Sequence, residues 1–175
     1  MKIINDFGNG LFIIEPTIYS DDRGYFYESF NEKDFKKHVA DITFVQENQS
    51  KSQKGVLRGM HFQNGEHAQS KLVRVVKGAV VDVVVDLRED SHTYNEVFSV
   101  LLSEDNHRQF FIPKGFAHGF VSLCHDTVFQ YKCDNFYNKE SEGHLNYQKI
   151  NFDWDEIKTR FGISEFILSE KDKIY

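Results

Sequence analysis

From residue 43 to residue 133 the chain is a succession of extended runs at short spacing, most of them separated by brief turns, and this spacing restricts the fold more than any other feature. The runs cover 43–52, 55–62, 71–76, 79–87, 97–102, 108–112, 116–123 and 127–133; an earlier aromatic stretch, Tyr25-Phe26-Tyr27-Glu28-Ser29-Phe30, brings the set to roughly ten strands. Turns are marked by Lys77-Gly78, Glu104-Asp105-Asn106 and Pro113-Lys114-Gly115. Within 79–87, Val81, Val83, Val85 and Leu87 share a face opposite Asp82, Val84 and Asp86, the period of two that a pleated strand requires. A load of 17 Phe and 8 Tyr suits such surfaces better than helices. Helix is expected in two places. Asn31-Glu32-Lys33-Asp34 supplies an N-cap and an acidic first turn ahead of 35–39, and 153–161 ends on the glycine stop Gly162. Short strands with sparse helix predict an all-β antiparallel sandwich or barrel.

The 175 residues contain no repeat, no low-complexity run and no Pro-rich or Gly/Ser-rich linker, so residues 1–175 are expected to form one domain. A net charge of −6 argues against a general nucleic-acid or membrane-surface binder and confines cationic function to a few placed Lys or Arg. Cys124 and Cys133 are too few for a disulfide scaffold or a zinc cage. The N-terminus has no apolar signal region, and the longest apolar stretch is broken by Asp82 and Asp86, so a soluble cytoplasmic protein without a membrane span is expected.

Several polar residues stand where a strand ordinarily carries something bland. His61 follows Gly59, whose missing side chain is expected to let a ligand approach the sheet. His118 lies in Pro113-Lys114-Gly115-Phe116-Ala117-His118-Gly119-Phe120, Lys71 opens a strand, and Tyr131 shares a face with Thr127, Phe129 and Cys133. A His, a Lys and a Tyr on adjacent strands can converge inside a small barrel; each taken singly is more often a core residue with a satisfied hydrogen bond. Phe26 is expected in the core.

Taken together, these blocks resemble the dTDP-4-dehydrorhamnose 3,5-epimerase family of cupin-fold sugar-nucleotide epimerases. The resemblance rests on Asp22-Arg23-Gly24-Tyr25-Phe26-Tyr27-Glu28, Gln46-Glu47-Asn48-Gln49-Ser50, the run 55–63, the run 69–78, 82–88, 112–120, Tyr131-Lys132 and Leu168-Ser169-Glu170-Lys171-Asp172, in order from about residue 10 to 172. It implies a cupin-type antiparallel two-sheet jelly-roll barrel with a few short helices. It also implies a homodimer in which an N-terminal strand joins the neighbouring subunit, and a nucleoside-diphosphate 4-keto-6-deoxy sugar or close relative as substrate. The implied reaction is inversion at C3 and C5, or at C3 alone, beside the C4 ketone, with no cofactor and no metal. By family position His61 is the base, Tyr131 the opposing acid and Lys71 the enolate stabiliser. His118 lines the same pocket and Asp172 holds the His61 ring, although Ser169-Glu170-Lys171-Asp172 also reads as a helix capping box. Arg23 and Arg58 are expected at the diphosphate, with Arg23 also readable as a solvated turn residue. Glu28, Gln46, Asn48, Glu142 and Lys171 are expected at the nucleotide or sugar, and Tyr137 on the base.

The chain departs from the family pattern at Ser91-His92-Thr93-Tyr94, at Tyr137-Asn138-Lys139, at Leu145-Asn146-Tyr147-Gln148 and at 150–154. These changes leave the nucleotide open among dTDP, GDP and CDP. Rival readings are a non-catalytic sugar-nucleotide-binding cupin, a 3,4-ketoisomerase, and a metal cupin. For the last, the usual histidine pair reads His61-Phe62-Gln63, only His118 fits the later ligand, and His67 is the one further candidate.

Overall fold

Alternation of β-branched and aromatic residues with polar ones builds two facing antiparallel sheets in the computed structural model, which describes residues 1–174. The strands are β1 (Lys2–Asp6), β2 (Phe12–Glu15), β3 (Tyr19–Asp21), β4 (Gly24–Phe26), β5 (Gln46–Ser52), β6 (Leu57–Gln63), β7 (Lys71–Lys77), β8 (Ala79–Asp86), β9 (Val97–Ser103), β10 (Gln109–Ile112), β11 (Phe116–Ser122), β12 (Thr127–Cys133) and β13 (Glu142–His144). The helices are α1 (Glu32–His38), α2 (Trp154–Phe161) and α3 (Glu170–Ile174). One sheet runs β1-β2-β10-β7-β12-β5, the other β13-β6-β11-β8-β9, and β3-β4 form a separate hairpin. This is the expected all-β, cupin-type two-sheet architecture with a few short helices.

Three apolar layers hold the sheets. Between them, Val73, Val75, Phe110, Ile112 and Phe129 of the six-stranded sheet meet Val80, Val84, Val100, Leu102, Phe116 and Phe120 of the five-stranded one. The outer face of the five-stranded sheet buries Leu57, Met60, Val81, Val83, Val85, Ala117 and Val121 under Trp154, Ile157 and Ile163 from α2 and its flank. Phe35 of α1 covers Ile14, Leu72 and Phe111 on the outside of the other sheet. The valines of β8 are therefore buried on both faces, which explains why apolar residues fill both sets of alternate positions there.

Both expected helices are present with the caps read from their sequences. The Asn31 side chain accepts from Asp34 N–H at 3.2 Å, Asp153 accepts from Glu156 N–H at 2.8 Å, and Gly162 adopts a left-handed conformation after α2. Two expectations are corrected. The strand expected at Tyr25–Phe30 stops at Phe26, because 27–30 leave the hairpin to reach α1. Phe26 is not a core residue: it is 70% exposed on that hairpin, beside the exposed Tyr19 and Tyr25.

Candidate active site

One irregularity of β6 aims the site. His61 pairs with His118 across β6 and β11, while Arg58 pairs with Phe120, so Gly59 and Met60 stand opposite Gly119 alone. Residues three apart ordinarily point to opposite faces; the extra residue of this bulge resets the alternation and turns both Arg58 and His61 towards the inter-sheet pocket. Gly59 makes the bulge possible. Its φ is +133°, and a Cβ there would lie 2.5 Å from Gly119 Cα and 2.9 Å from the His118 carbonyl oxygen. The glycine therefore lets the neighbouring strand approach, which corrects the expectation that it clears space for a ligand.

The pocket is a cavity of about 270 Å³ with one wall from each sheet. Arg58, His61, His118 and Phe120 line the five-stranded side; Ser50, Lys71, Phe129 and Tyr131 line the six-stranded side; Tyr137, Glu142, Ser169 and Asp172 close the rim. His61 Nε2 lies 2.6 Å from Asp172 Oδ1, delivered by α3. The Ser169 hydroxyl donates to Asp172 Oδ2 at 2.8 Å and accepts from Asp172 N–H at 3.2 Å. The cap and the His–Asp contact thus coexist: Ser169 starts the helix and fixes the carboxylate that holds the imidazole. Burial pushes the His61 imidazole below its ordinary value, and the hydrogen bond and charge of Asp172 pull it back up. On the same wall His118 Nε2 sits 2.9 and 3.1 Å from the two oxygens of Asp82, which is fully buried. Burial raises the Asp82 carboxyl, opposed by His118 and Lys71.

Facing them, the Lys71 amine lies 6.0 Å from the Tyr131 ring centroid. Burial lowers Lys71, against the pull of Cys133, Asp82 and Glu142. Burial raises the Tyr131 phenol, so it keeps its proton in the neutral range, while the Asn48 side chain draws it down. An imidazole on one wall and a protonated phenol beside the Lys71 side chain on the other can take and return protons on opposite faces of a bound carbon acid.

The expected nucleotide-end residues divide. Arg58 donates from Nε to Ser52 Oγ at 3.0 Å. Gln46 Nε2 donates to Asn48 Oδ1 at 3.1 Å, and Tyr137 N–H donates to Gln46 Oε1 at 3.1 Å. At the rim, Tyr137 Oη donates to Glu142 Oε2 at 3.0 Å, and Lys171 Nζ lies 2.5 Å from Glu142 Oε1. Arg58, Tyr137 and Glu142 line the pocket, and Gln46, Asn48 and Lys171 reach it through these contacts, Gln46 and Asn48 by way of Tyr137 and Lys171 by way of Glu142. Arg23 and Glu28 do not: Arg23 sits at the tip of the β3-β4 hairpin against Asp21, and Glu28 borders a separate cavity with Phe30, Phe35 and Leu72. Sequence reasoning missed Asp82, Ser50 and His144. The signal for Asp82 was a carboxylate inside an otherwise valine-filled strand. Ser50 Oγ is buried, has no hydrogen-bond partner among the described residues and lines the pocket, a signal only packing reveals. His144 stands edge-on to His61 with ring centroids 4.9 Å apart.

Over residues 8–175 the chain matches the family described as dTDP-4-dehydrorhamnose 3,5-epimerase. A protein of that name from Escherichia coli is 47% identical over 177 residues, covering 99% of this chain and 92% of its own. A crystal structure of the Elizabethkingia anophelis protein of that name has 49% identity and a TM-score of 0.89, covering 99% of this chain and 94% of its own. The dTDP-6-deoxy-D-glucose-3,5-epimerase from Legionella pneumophila, solved with dTDP-4-keto-L-rhamnose, has 46% identity and a TM-score of 0.89 over 98% of this chain and 89% of its own.

Proposed function

The chain belongs to the dTDP-4-dehydrorhamnose 3,5-epimerase family, and from that premise we propose that it is an isomerase that inverts C3 and C5 of a dTDP-linked 4-keto-6-deoxy sugar. The observation that carries the reading is the opposition of His61, held by Asp172, to Tyr131 and Lys71 across one pocket. A C–H beside the C4 ketone is acidic because its anion spreads onto oxygen. His61 takes that proton from one side, the enolate oxygen forms beside the Lys71 ammonium, and the Tyr131 O–H returns a proton to the other side of the carbon, inverting it. A cationic donor at the enolate oxygen contributes about 3 kcal/mol, the size of a typical oxyanion contact. The His118–Asp82 pair, continuous with the same wall, orients the sugar. At the rim, Tyr137 stacks on the base while Gln46, Asn48, Glu142 and Lys171 contact nucleotide or sugar and Arg58 the diphosphate.

Arg23 and Glu28 fit the same reading through a homodimer. The hairpin that carries Arg23 exposes Tyr19, Tyr25 and Phe26 together, an apolar patch suited to a protein interface. A second copy seated there brings the two side chains to its own pocket. The enzyme so read acts in the cytoplasm, and no helix among the described residues is long and apolar enough to cross a membrane.

Proton NMR of 4-keto-6-deoxy sugars incubated with the protein in D₂O tests the function. Deuterium at both C3 and C5 of the dTDP-linked sugar is the expected outcome. Label at C3 alone narrows the activity to a 3-epimerase, and a preference for GDP- or CDP-linked sugar moves the nucleotide. No exchange with any of the three overturns the catalytic reading in favour of a binding module.

A further inference from the structure

We propose that His61, His144 and Asp172 form a site for a borderline transition-metal cation, Zn²⁺ foremost, whose binding takes the His61 base out of use. His144 on β13 is the direct cross-strand partner of His61 on β6, and their rings meet at an interplanar angle of 83°. Asp172 reaches His61 from α3 at 2.6 Å. One ligand atom from each of the three lies within 4.8 Å of the other two. Tetrahedral zinc, with bonds of about 2.0–2.2 Å, keeps its ligand atoms roughly 3.4 Å apart. The widest separation thus closes by at most about 1.4 Å, and the 2.6 Å contact of His61 with Asp172 opens by roughly 0.8 Å, both small side-chain movements.

Two imidazoles and a carboxylate are the donor set of open zinc sites, with water in the fourth position, and they are poorly matched to Mg²⁺, which prefers oxygen. The set differs from the His61-Phe62-Gln63 and His118 combination weighed from the sequence, because His118 is committed to Asp82. The surrounding charges are mixed. Glu142 Oε1 lies 3.8 Å from His144 Nε2 and favours a cation, but it already holds Lys171. The ammonium of Lys71 acts on His61 from the opposite wall and disfavours one. The cation replaces the hydrogen between His61 Nε2 and Asp172 Oδ1, and that proton passes to Nδ1. Both nitrogens of the imidazole are then occupied, one by metal and one by hydrogen, and no lone pair remains to act as base.

The test uses the full chain stripped with chelator. Calorimetric titration is expected to show one Zn²⁺ per chain and no heat with Mg²⁺, and Co²⁺ is expected to give the visible absorption of a four- or five-coordinate site. His144→Ala should weaken Zn²⁺ binding at least about tenfold, with His144→Gln as the second variant if the alanine form misfolds, while His67→Ala leaves it unchanged. Absence of Zn²⁺ binding, or equal affinity in both His144 variants, overturns the site. The loss of activity rests on the function proposed above, whereas the binding does not. Zn²⁺ should therefore stop substrate deuteration reversibly in the parent enzyme, and binding without such loss overturns the inhibitory role alone.

Discussion

At His61 two influences of opposite sign meet, and their balance sets how the residue behaves with pH. Burial favours the neutral, proton-accepting ring; Asp172 favours the imidazolium that forms once the proton is taken. Removing the carboxylate charge with Asp172→Asn leaves burial unopposed, so the imidazole titrates lower. The acid limb of the kcat/KM profile should move to lower pH while the rate on the plateau falls by about 10²-fold or more. An unmoved limb with lower thermal stability would reduce Asp172 to a helix-capping partner of Ser169. Tyr131→Phe removes the proton on the opposite wall and keeps the ring. Solvent deuterium should still enter the recovered substrate while inverted product drops by about 10²–10⁴-fold; unaffected product formation would remove Tyr131 from the chemistry. His61, Lys71 and Tyr131 were legible together, from the ordered sequence blocks that carry them, whereas each alone reads as an ordinary strand residue. Ser50 was not, since a serine on an alternating strand is ordinary until its hydroxyl proves to be buried with no partner among the described residues.

The bulge in β6 is the element on which the geometry turns. Without it, strict alternation would send Arg58 and His61 to opposite faces of the sheet. Gly59→Ala forces a side chain into the backbone of β11 at a φ of +133°. The expected cost is about 2–4 kcal/mol of stability, read by chemical denaturation, with activity falling further than the folded fraction does as His61 is re-aimed. A variant as stable as the parent would show that the bulge relaxes at little cost. Strand positions were readable from period two and helix ends from their caps, because both signals are local. The bulge was not, since it depends on the register between β6 and a strand roughly sixty residues away. The same holds for β13, whose Glu142-Gly143-His144 has no strand signature and is extended because it pairs with Gln63-Phe62-His61.

Across the whole molecule, what remained illegible lies at the boundary of the single chain. The sequence blocks place Arg23 and Glu28 with the site, yet folding leaves them on a hairpin and beside a separate cavity. If a second copy supplies them, Arg23→Ala and His61→Ala proteins, each nearly inactive alone, should complement when refolded together. Half of the resulting two-fold dimers carry one intact pocket each, giving roughly a quarter of the parent activity; no recovery would place the Arg23 contribution within its own chain. The two-walled pocket has a further consequence. On the proposed roles of His61 and Tyr131, each turnover would leave the phenolate and the imidazolium, which are the base and acid of the reverse reaction. The protein therefore carries no arrow of its own: it hastens approach to equilibrium between the sugar epimers, and net flux in either direction is set by whichever reaction withdraws one of them.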